Sequence, residues 1–143
     1  MQVSEVMTRG AECIPPDATL QQAAERMKAL DVGALPVCDN DRLAGMLTDR
    51  DITVRSVAEG HDPRKDHVRD AMTPEIVYCF EDQDVAEAAR IMKEKQIRRL
   101  PVLNRDKRLT GIVSLGDLAV ESGNERLAGH ALEGISEPAM PRR

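Results

Sequence analysis

The sequence has almost no aromatic residues. Its 143 residues include no Trp, one Tyr (Tyr78) and one Phe (Phe80). Proteins that bind single-stranded nucleic acid without sequence preference stack the bases on aromatic side chains, so the composition argues against that class. The hydrophobic core must instead be built from Leu, Ile, Val, Ala and the seven Met residues.

The chain has no excess of positive charge, and cysteine is scarce. Asp and Glu outnumber Lys and Arg by 25 to 20, and the net charge of −5 argues against a surface that binds duplex DNA. Cys13, Cys38 and Cys79 include no CxxC pair, which argues against a secreted disulfide framework and a cysteine zinc site. No apolar run approaches the roughly 20 residues of a membrane span, and the N-terminus lacks a signal-peptide pattern. We therefore expect a cytoplasmic protein with no nucleic-acid or membrane partner.

The common catalytic motifs are missing as well. The sequence contains no P-loop, no dinucleotide-binding glycine motif, no nucleophile elbow and no metalloprotease motif. His61, His67 and His130 do not have the spacing of zinc ligands. We expect neither an enzyme nor a metal site.

The chain contains two copies of one unit. Val6–Thr8 recurs as Ala71–Thr73, and Leu35–Val37 recurs as Leu100–Val102, both at an offset of 65 residues. Such self-similarity is typical of repeated structural units. The sequence divides into a first repeat, a connector, a second repeat and a C-terminal tail, at residues 1–58, 59–67, 68–122 and 123–143.

Each repeat predicts the element order β-α-β-β-α. Apolar residues at helical spacing follow Thr19 and Asp84, which form capping-box patterns with Gln22 and Glu87. Because one repeat of about 60 residues buries little surface, two repeats are expected to pack together about a pseudo-two-fold axis. The predicted class is α/β (α+β). The predicted first strands lie at Ala11–Ile14 and Ile76–Phe80, the later strands at about 34–38, 43–47, 99–103 and 109–113, and the second helices begin near Asp49 and Leu115.

The pattern G-x-x-[ST]-x-x-D closes the last strand of each repeat, at Gly45–Asp51 and Gly111–Asp117. A strand-to-helix junction offers free backbone N–H groups that suit a phosphate, and a nearby carboxylate can accept hydrogen bonds from ribose hydroxyls. The same residue types also form an ordinary helix N-cap. The residues alone leave both roles open.

These motifs resemble a tandem pair of cystathionine-β-synthase (CBS) domains, a Bateman module, as found in stand-alone bacterial-type CBS proteins. The resemblance covers about residues 1–122 and rests on Val6–Thr8, Leu35–Val37, Ile97–Val102 and the two G-x-x-[ST]-x-x-D motifs. It implies a homodimer that requires no cofactor and binds an adenosine nucleotide in two clefts. AMP, ADP and ATP are the expected ligands, with S-adenosylmethionine ranked below them. We interpret the chain as a non-catalytic regulatory sensor with an unidentified protein target.

The resemblance implies two unequal ligand groups. In the first, Asp51 would hold the ribose, Thr48 the phosphate, and Arg99 would add a charged phosphate contact. In the second, Gly33-Ala34 stands where the first has Arg98-Arg99, so a phosphate clamp is missing and weaker binding is expected. The first group comprises Thr48, Arg50, Asp51, Ile76, Val77, Ile97, Arg98, Arg99 and Pro101. The second comprises Ala11, Cys13, Val32, Ala34, Pro36, Ser114 and Asp117.

Two alternatives remain open. One is a ligand-free dimeric scaffold, against which the presence of both Asp51 and Asp117 argues. The other is a redox-responsive stress protein that uses Cys13 and Cys38. The resemblance places the strands of these two cysteines side by side, where a disulfide is conceivable. In a reducing compartment such a pair is more typical of a redox response than of a structural link.

Overall fold

The chain folds into two compact units that do not coincide with the two sequence repeats. In the computed structural model, residues 1–10, 12–74, 77–120, 129 and 132–135 are described. The terminal unit comprises Met1–Gly10 and Val77–Arg143, and the central unit comprises Ala11–Ile76. The elements in chain order are β1 (Thr8–Arg9), α1 (Leu20–Leu30), β2 (Ala34–Asp39), β3 (Arg42–Thr48), α2 (Asp49–Ile52), α3 (Val68–Ala71), β4 (Cys79–Phe80), α4 (Val85–Lys95), β5 (Arg99–Leu103), β6 (Leu109–Ser114) and α5 (Leu115–Val120).

The central unit is organised around one antiparallel hairpin. Strands β2 and β3 pair from Ala34 opposite Thr48 to Asp39 opposite Arg42. Single bridges extend the hairpin on both sides, since Ile14 pairs with β2 and Thr73 pairs with β3. The predicted first strand is therefore reduced here to one bridge. The core of this unit is aliphatic and is formed by Ile14, Leu20, Ala23, Met27, Leu35, Val37, Leu47, Val68 and Ala71.

The terminal unit carries the same arrangement as a four-stranded sheet in the order β1-β6-β5-β4. Strand β6 is antiparallel to both β1 and β5, whereas β4 runs parallel to β5. Helix α4 packs its apolar face on this sheet. The core comprises Val3, Val6, Met7, Cys79, Val85, Ala88, Ala89, Met92, Leu100, Val102, Val113 and Leu118.

Each compact unit contains the leading segment of the other sequence repeat. Thr8 lies near the start of the first repeat, yet it pairs with Ile112 on β6 of the second repeat. Thr73 is its counterpart in the second repeat, and it pairs with Met46 on β3 of the first. The sequence repeats at 1–58 and 68–122 are therefore one way to divide the chain. The compact units divide it after Gly10 and after Ile76.

Local signals account for the ends of the long helices. The predicted capping box at α1 is present, because Thr19 Oγ1 accepts from Gln22 N at 3.1 Å and Gln22 Oε1 accepts from Thr19 N at 2.9 Å. At α4, Asp84 caps the helix by accepting from Ala86 N. Glu87 does not complete that box because its carboxylate pairs with Arg90. Neither helix is long and apolar enough to span a membrane, and the same holds for the other helices that the structure describes.

Helix α2 is held by contacts that the sequence patterns did not indicate. It continues into a π-helical turn at Thr53–Val57. The Arg55 guanidinium donates to the carbonyl oxygens of Ala71 and Met72 at 2.9 and 3.1 Å. These bonds tie the segment after α2 to the end of α3. The segment that follows the Thr48–Asp51 junction is thereby held against α3.

Gly111 is required where β1 meets β6. A Cβ atom added at Gly111 would lie 2.5 Å from the Thr8 carbonyl oxygen, which is closer than real Cβ contacts. We expect Gly111→Ala to force the two strands apart and to lower the free energy of unfolding by about 1–3 kcal/mol. Urea denaturation of the full chain measures this change.

Gly116→Ala is the matched control. A Cβ at Gly116 would meet only Ser114 Oγ, at the ordinary distance of 3.6 Å. Alanine also favours the helix, so this variant should be as stable as the wild type or slightly more stable. An equal loss in both variants would contradict the close approach of β1 and β6.

Candidate functional site

The two predicted strand-to-helix junctions have the same geometry. At the end of β3, Thr48 N donates to Asp51 Oδ2 at 2.9 Å and Asp51 N donates to Thr48 Oγ1 at 3.0 Å. At the end of β6, Ser114 N donates to Asp117 Oδ2 at 2.8 Å and Asp117 N donates to Ser114 Oγ at 3.0 Å. Each hydroxyl and each carboxylate is therefore part of a reciprocal helix cap.

The capping role leaves part of each polar group available. All four side chains are only partly buried. In the described part of the chain, Oδ1 of Asp51 and of Asp117 accepts no hydrogen bond. Each hydroxyl uses a lone pair for the cap and retains its proton for donation. A ligand at either junction can therefore be contacted without breaking the cap.

The register of each hairpin decides which residue faces the hydroxyl. Ala34 is the strand partner of Thr48, whereas Arg99 is the strand partner of Ser114. One residue further out, Leu115 N donates to the Arg98 carbonyl oxygen at 2.9 Å. The two junctions thus have the same backbone arrangement, but they differ in the charge of the side chain opposite the hydroxyl. Only the terminal unit places two arginines beside its hydroxyl.

Those arginines line a cleft of about 560 Å³ in the terminal unit. This volume falls within the roughly 300–1,000 Å³ typical of small-molecule sites. None of the described residues that line it is acidic. The lining residues are Arg98, Arg99, Ser114, Leu115, Gly116, Ala119, Gly129 and Leu132.

Within the described ranges, no acidic neighbour neutralises either cleft arginine. Both side chains are exposed, and among the described residues neither forms an ion pair. Arg105 in the same unit is different, because it makes two 2.8 Å hydrogen bonds to Asp82. The cleft therefore brings two positive charges close to a hydroxyl. This is the chemistry that phosphate groups require.

This arrangement differs from the expected distribution of charge. The sequence analysis grouped Arg98 and Arg99 with Thr48 and expected the Ser114 group to lack a phosphate clamp. The structure places both arginines in the cleft of Ser114, because the antiparallel register brings Arg99 opposite that residue. Grouping them with Thr48 combines residues of both units and stays a prediction.

The other predicted ligand residues have varied environments. Val77 and Ile97 are half-buried and pack against the core of the terminal unit. Pro36 and Pro101 are fully buried, Ala34 is buried, and Arg50 and Val32 are exposed. Cys13 is bonded to Cys38. Ala11 and Ile76 lie outside the described residues.

The sequence analysis missed the wall of the cleft that the C-terminal tail supplies. Gly129 and Leu132 line the cleft, and no motif in the tail indicated this. Two described residues that follow Leu132 contact the terminal unit, since Gln96 Nε2 donates to the Gly134 carbonyl oxygen at 3.2 Å and Ile135 packs against the core. A ligand in the cleft would therefore contact the tail as well as the sheet.

The histidines of the connector belong to a different cluster. His61 Nδ1 lies 2.9 Å from Asp66 Oδ2, which also accepts from the hydroxyl of the buried Ser56. His67 lies at the start of α3, and His130 is outside the described residues. In the ranges that are described, no group of three or more His, Cys, Asp or Glu side chains could hold a metal ion.

Comparison with known proteins identifies the repeats. The family model described as "CBS domain" matches residues 3–57 and 68–123. The curated protein "CBS domain-containing protein YhcV" of Bacillus subtilis is 42% identical over 134 residues, which cover 94% of this chain and 94% of that protein.

Two solved structures of similar fold contain ligands. A crystal structure of Hypoxic Response Protein I with two coordinated zinc ions is 39% identical, with a TM-score of 0.77, covering 83% of this chain and 97% of that one. The structure of CBSX2 in complex with AMP is 25% identical, with a TM-score of 0.75, covering 87% of this chain and 98% of that one. The predicted mixed α/β class with two CBS repeats is confirmed by the family match and by these neighbours.

The capping role of Ser114 can be measured separately from any ligand. We expect Ser114→Ala to lower the free energy of unfolding by about 1 kcal/mol, because Asp117 N loses its side-chain acceptor. Ser114→Thr keeps the hydroxyl and introduces the residue type found at Thr48 in the first repeat. Its free energy of unfolding should stay within about 0.5 kcal/mol of the wild-type value. Urea denaturation without ligand makes the comparison. Equal stability of the Ala and Thr variants would show that the cap contributes nothing.

Proposed function

Because the chain belongs to the CBS domain family, whose tandem modules are regulatory, we propose that it is a non-catalytic sensor of an adenosine nucleotide. The observation that carries the proposal is the cleft of the terminal unit, where Arg98 and Arg99 lie beside Ser114 and have no acidic partner among the described residues. The AMP complex of the neighbour CBSX2 supports the choice of ligand class. The ligands we propose are AMP, ADP or ATP.

The phosphate end of the ligand is assigned to the arginine pair. Guanidinium groups bind phosphate through two parallel N–H···O bonds, and charge-assisted hydrogen bonds are roughly twice as strong as neutral ones. The Ser114 hydroxyl can donate a further bond to a phosphate oxygen. Two adjacent arginines on one strand end can contact one or two phosphate groups, which fits all three adenine nucleotides.

The ribose is assigned to the free carboxylate oxygens. Oδ1 of Asp117, or Oδ1 of Asp51 at the other junction, is positioned after a capped strand end and can accept from ribose hydroxyls. In the first ligand group inferred from the sequence, Asp51 has this ribose role and Thr48 holds the phosphate. The arginine cleft argues that the stronger phosphate contact belongs to the Ser114 junction.

A regulatory effect requires that the ligand favour one state of the protein. Leu132 and Gly129 of the tail line the same cleft as the arginines. A nucleotide bound there would bridge the sheet and the tail, so its occupancy would change how firmly the tail is held. We also propose that an unidentified target protein responds to this change.

We expect calorimetric titration of the full chain to detect AMP, ADP or ATP, and each of Arg98→Gln and Arg99→Gln to weaken binding by about tenfold or more. The loss of one charge-assisted hydrogen bond, about 1.5–3 kcal/mol, gives this magnitude. Arg105→Gln is the matched control, because it removes the same charge from the same unit but from a residue paired with Asp82. That variant should bind as the wild type does.

Two results would decide against parts of the proposal. No binding of any adenine nucleotide at millimolar concentration would favour the ligand-free scaffold, and equal losses in all three arginine variants would indicate a general charge effect. Comparison of Asp117→Asn with Asp51→Asn orders the two junctions. A greater loss of affinity in Asp51→Asn would return the stronger site to the Thr48 group.

We also propose that two copies of the chain associate. Val54, Val57 and Val120 expose 44%, 57% and 77% of their surface. Val54 and Val120 are equivalent in the two repeats, at an offset of 66 residues. In each unit by itself, contact with a second copy at this equivalent position would cover an exposed apolar side chain.

Sedimentation equilibrium at micromolar concentration should give twice the mass of the chain. Val54→Asp combined with Val120→Asp should give the mass of a monomer, because burial of an unpaired carboxylate is unfavourable. Val54→Thr combined with Val120→Thr, which keeps the shape of both side chains, should weaken association less. A monomeric wild type would refute the dimer.

A further inference from the structure

A disulfide joins Cys13 to Cys38 in the central unit. The two residues are 25 positions apart, and their Cα atoms are separated by 5.5 Å. Cys38 lies in β2, whereas Cys13 precedes α1. The bond therefore links the segment that enters the central unit to the hairpin that carries Thr48.

Few other contacts attach that segment to the hairpin. Ile14 N donates to the Pro36 carbonyl oxygen at 3.0 Å, and Cys38 N donates to the Ile14 carbonyl oxygen at 3.1 Å. Ile14 is only 4% exposed and belongs to the core of the unit. Among the described residues, these two hydrogen bonds and the buried Ile14 side chain are the contacts, besides the disulfide, that we find between residues 13 and 14 and the hairpin.

The two sulfur atoms of the pair differ in access. Cys38 is buried, whereas Cys13 is half-buried and follows the exposed Glu12. A small thiol or disulfide can therefore approach the pair from the side of Cys13. Because exchange requires such an approach, the pair combines a formed bond with a route for its reversal.

The third cysteine lacks this chemistry. Cys79 is 1% exposed. Burial, together with the nearby Glu87 carboxylate, raises the pKa of the Cys79 thiol to about 12. Its reactive thiolate is therefore essentially unpopulated at neutral pH, which makes Cys79 an internal reference for the other two residues.

We propose that Cys13 and Cys38 are a reversible thiol-modification site for small-molecule disulfides, and that oxidation locks residues 13 and 14 onto β2. The reduced protein keeps the same hairpin, but these residues are released from it more often. The redox state would thereby control how tightly the chain is held where it enters the central unit.

The exchange balances without any group beyond the small disulfide, R–S–S–R. The Cys13 thiolate attacks one of its sulfur atoms, forms a mixed disulfide and releases one R–SH. The Cys38 thiolate then attacks the Cys13 sulfur and releases the second R–SH. The two protein thiols give up two electrons and two protons, which leave in the two R–SH molecules, and excess R–SH reverses both steps.

The test uses the folded full chain with oxidised or reduced glutathione. Alkylation followed by mass spectrometry should find Cys13 blocked after oxidised glutathione and modified after reduced glutathione, and digestion should recover the Cys13–Cys38 disulfide only after oxidised glutathione. Cys79 should stay unmodified in both conditions. Amide hydrogen exchange at Ile14 and Cys38 should become faster by about tenfold or more on reduction. A disulfide that closes a loop of this size suppresses the local unfolding that exposes these amides.

Variants separate the disulfide from other effects of the reagents. Cys79→Ala should show the same redox-dependent exchange as the wild type, whereas Cys13→Ser should exchange at one rate in both conditions. The wild-type comparison needs no substitution, so it stands even if a variant fails to fold. The proposal is overturned if Cys13 stays alkylatable after oxidised glutathione. It is also overturned if excess reduced glutathione leaves the bond intact, or if Ile14 and Cys38 exchange equally in both states.

Discussion

The close backbone approach at two glycines is the constraint on which the rest of the fold depends. Gly111 faces the Thr8 carbonyl oxygen and Gly45 faces that of Thr73, so in each unit a leading segment lies directly against the last strand of the hairpin. Any side chain at these positions would separate the strands. Because the two leading segments are exchanged between the repeats, neither repeat completes its sheet alone, and the chain must enter the central unit at residues 11–14.

The same strand ends carry the residues to which we assign the proposed ligand contacts. Thr48 with Asp51, and Ser114 with Asp117, cap their helices through two hydrogen bonds each. The residue types alone left open whether these residues cap a helix or contact a ligand. The geometry is compatible with both roles at once. The cap uses one carboxylate oxygen and one hydroxyl lone pair, and it holds the remaining polar atoms at the strand end before a ligand arrives.

Local patterns predicted most of the fold. Helices α1 and α4, the two hairpins and the Thr19 cap follow from periodicity, turn residues and side-chain spacing, all of which act over a few residues. The pairing of Thr8 with β6 does not follow from such patterns, because pairing between distant segments leaves no local signal. The pairing of Arg99 with Ser114 is an intermediate case. It follows from the hairpin register, but the family resemblance assigned that arginine to the other junction. The contribution of Leu132 had no signal at all.

The two units have the same framework and different chemistry. The pairing of Ile14 with Val37 in the central unit is equivalent to the pairing of Cys79 with Val102 in the terminal unit. Positions in the two units can therefore be matched at an offset of 65 residues. By that match, Cys13 and Cys38 correspond to Tyr78 and Leu103, which cannot form a bond. Conversely, Arg99 corresponds to Ala34, which carries no charge. The two units therefore share one framework, and the residues at matched positions give one unit a cleft lined by two arginines and the other unit a bonded cysteine pair.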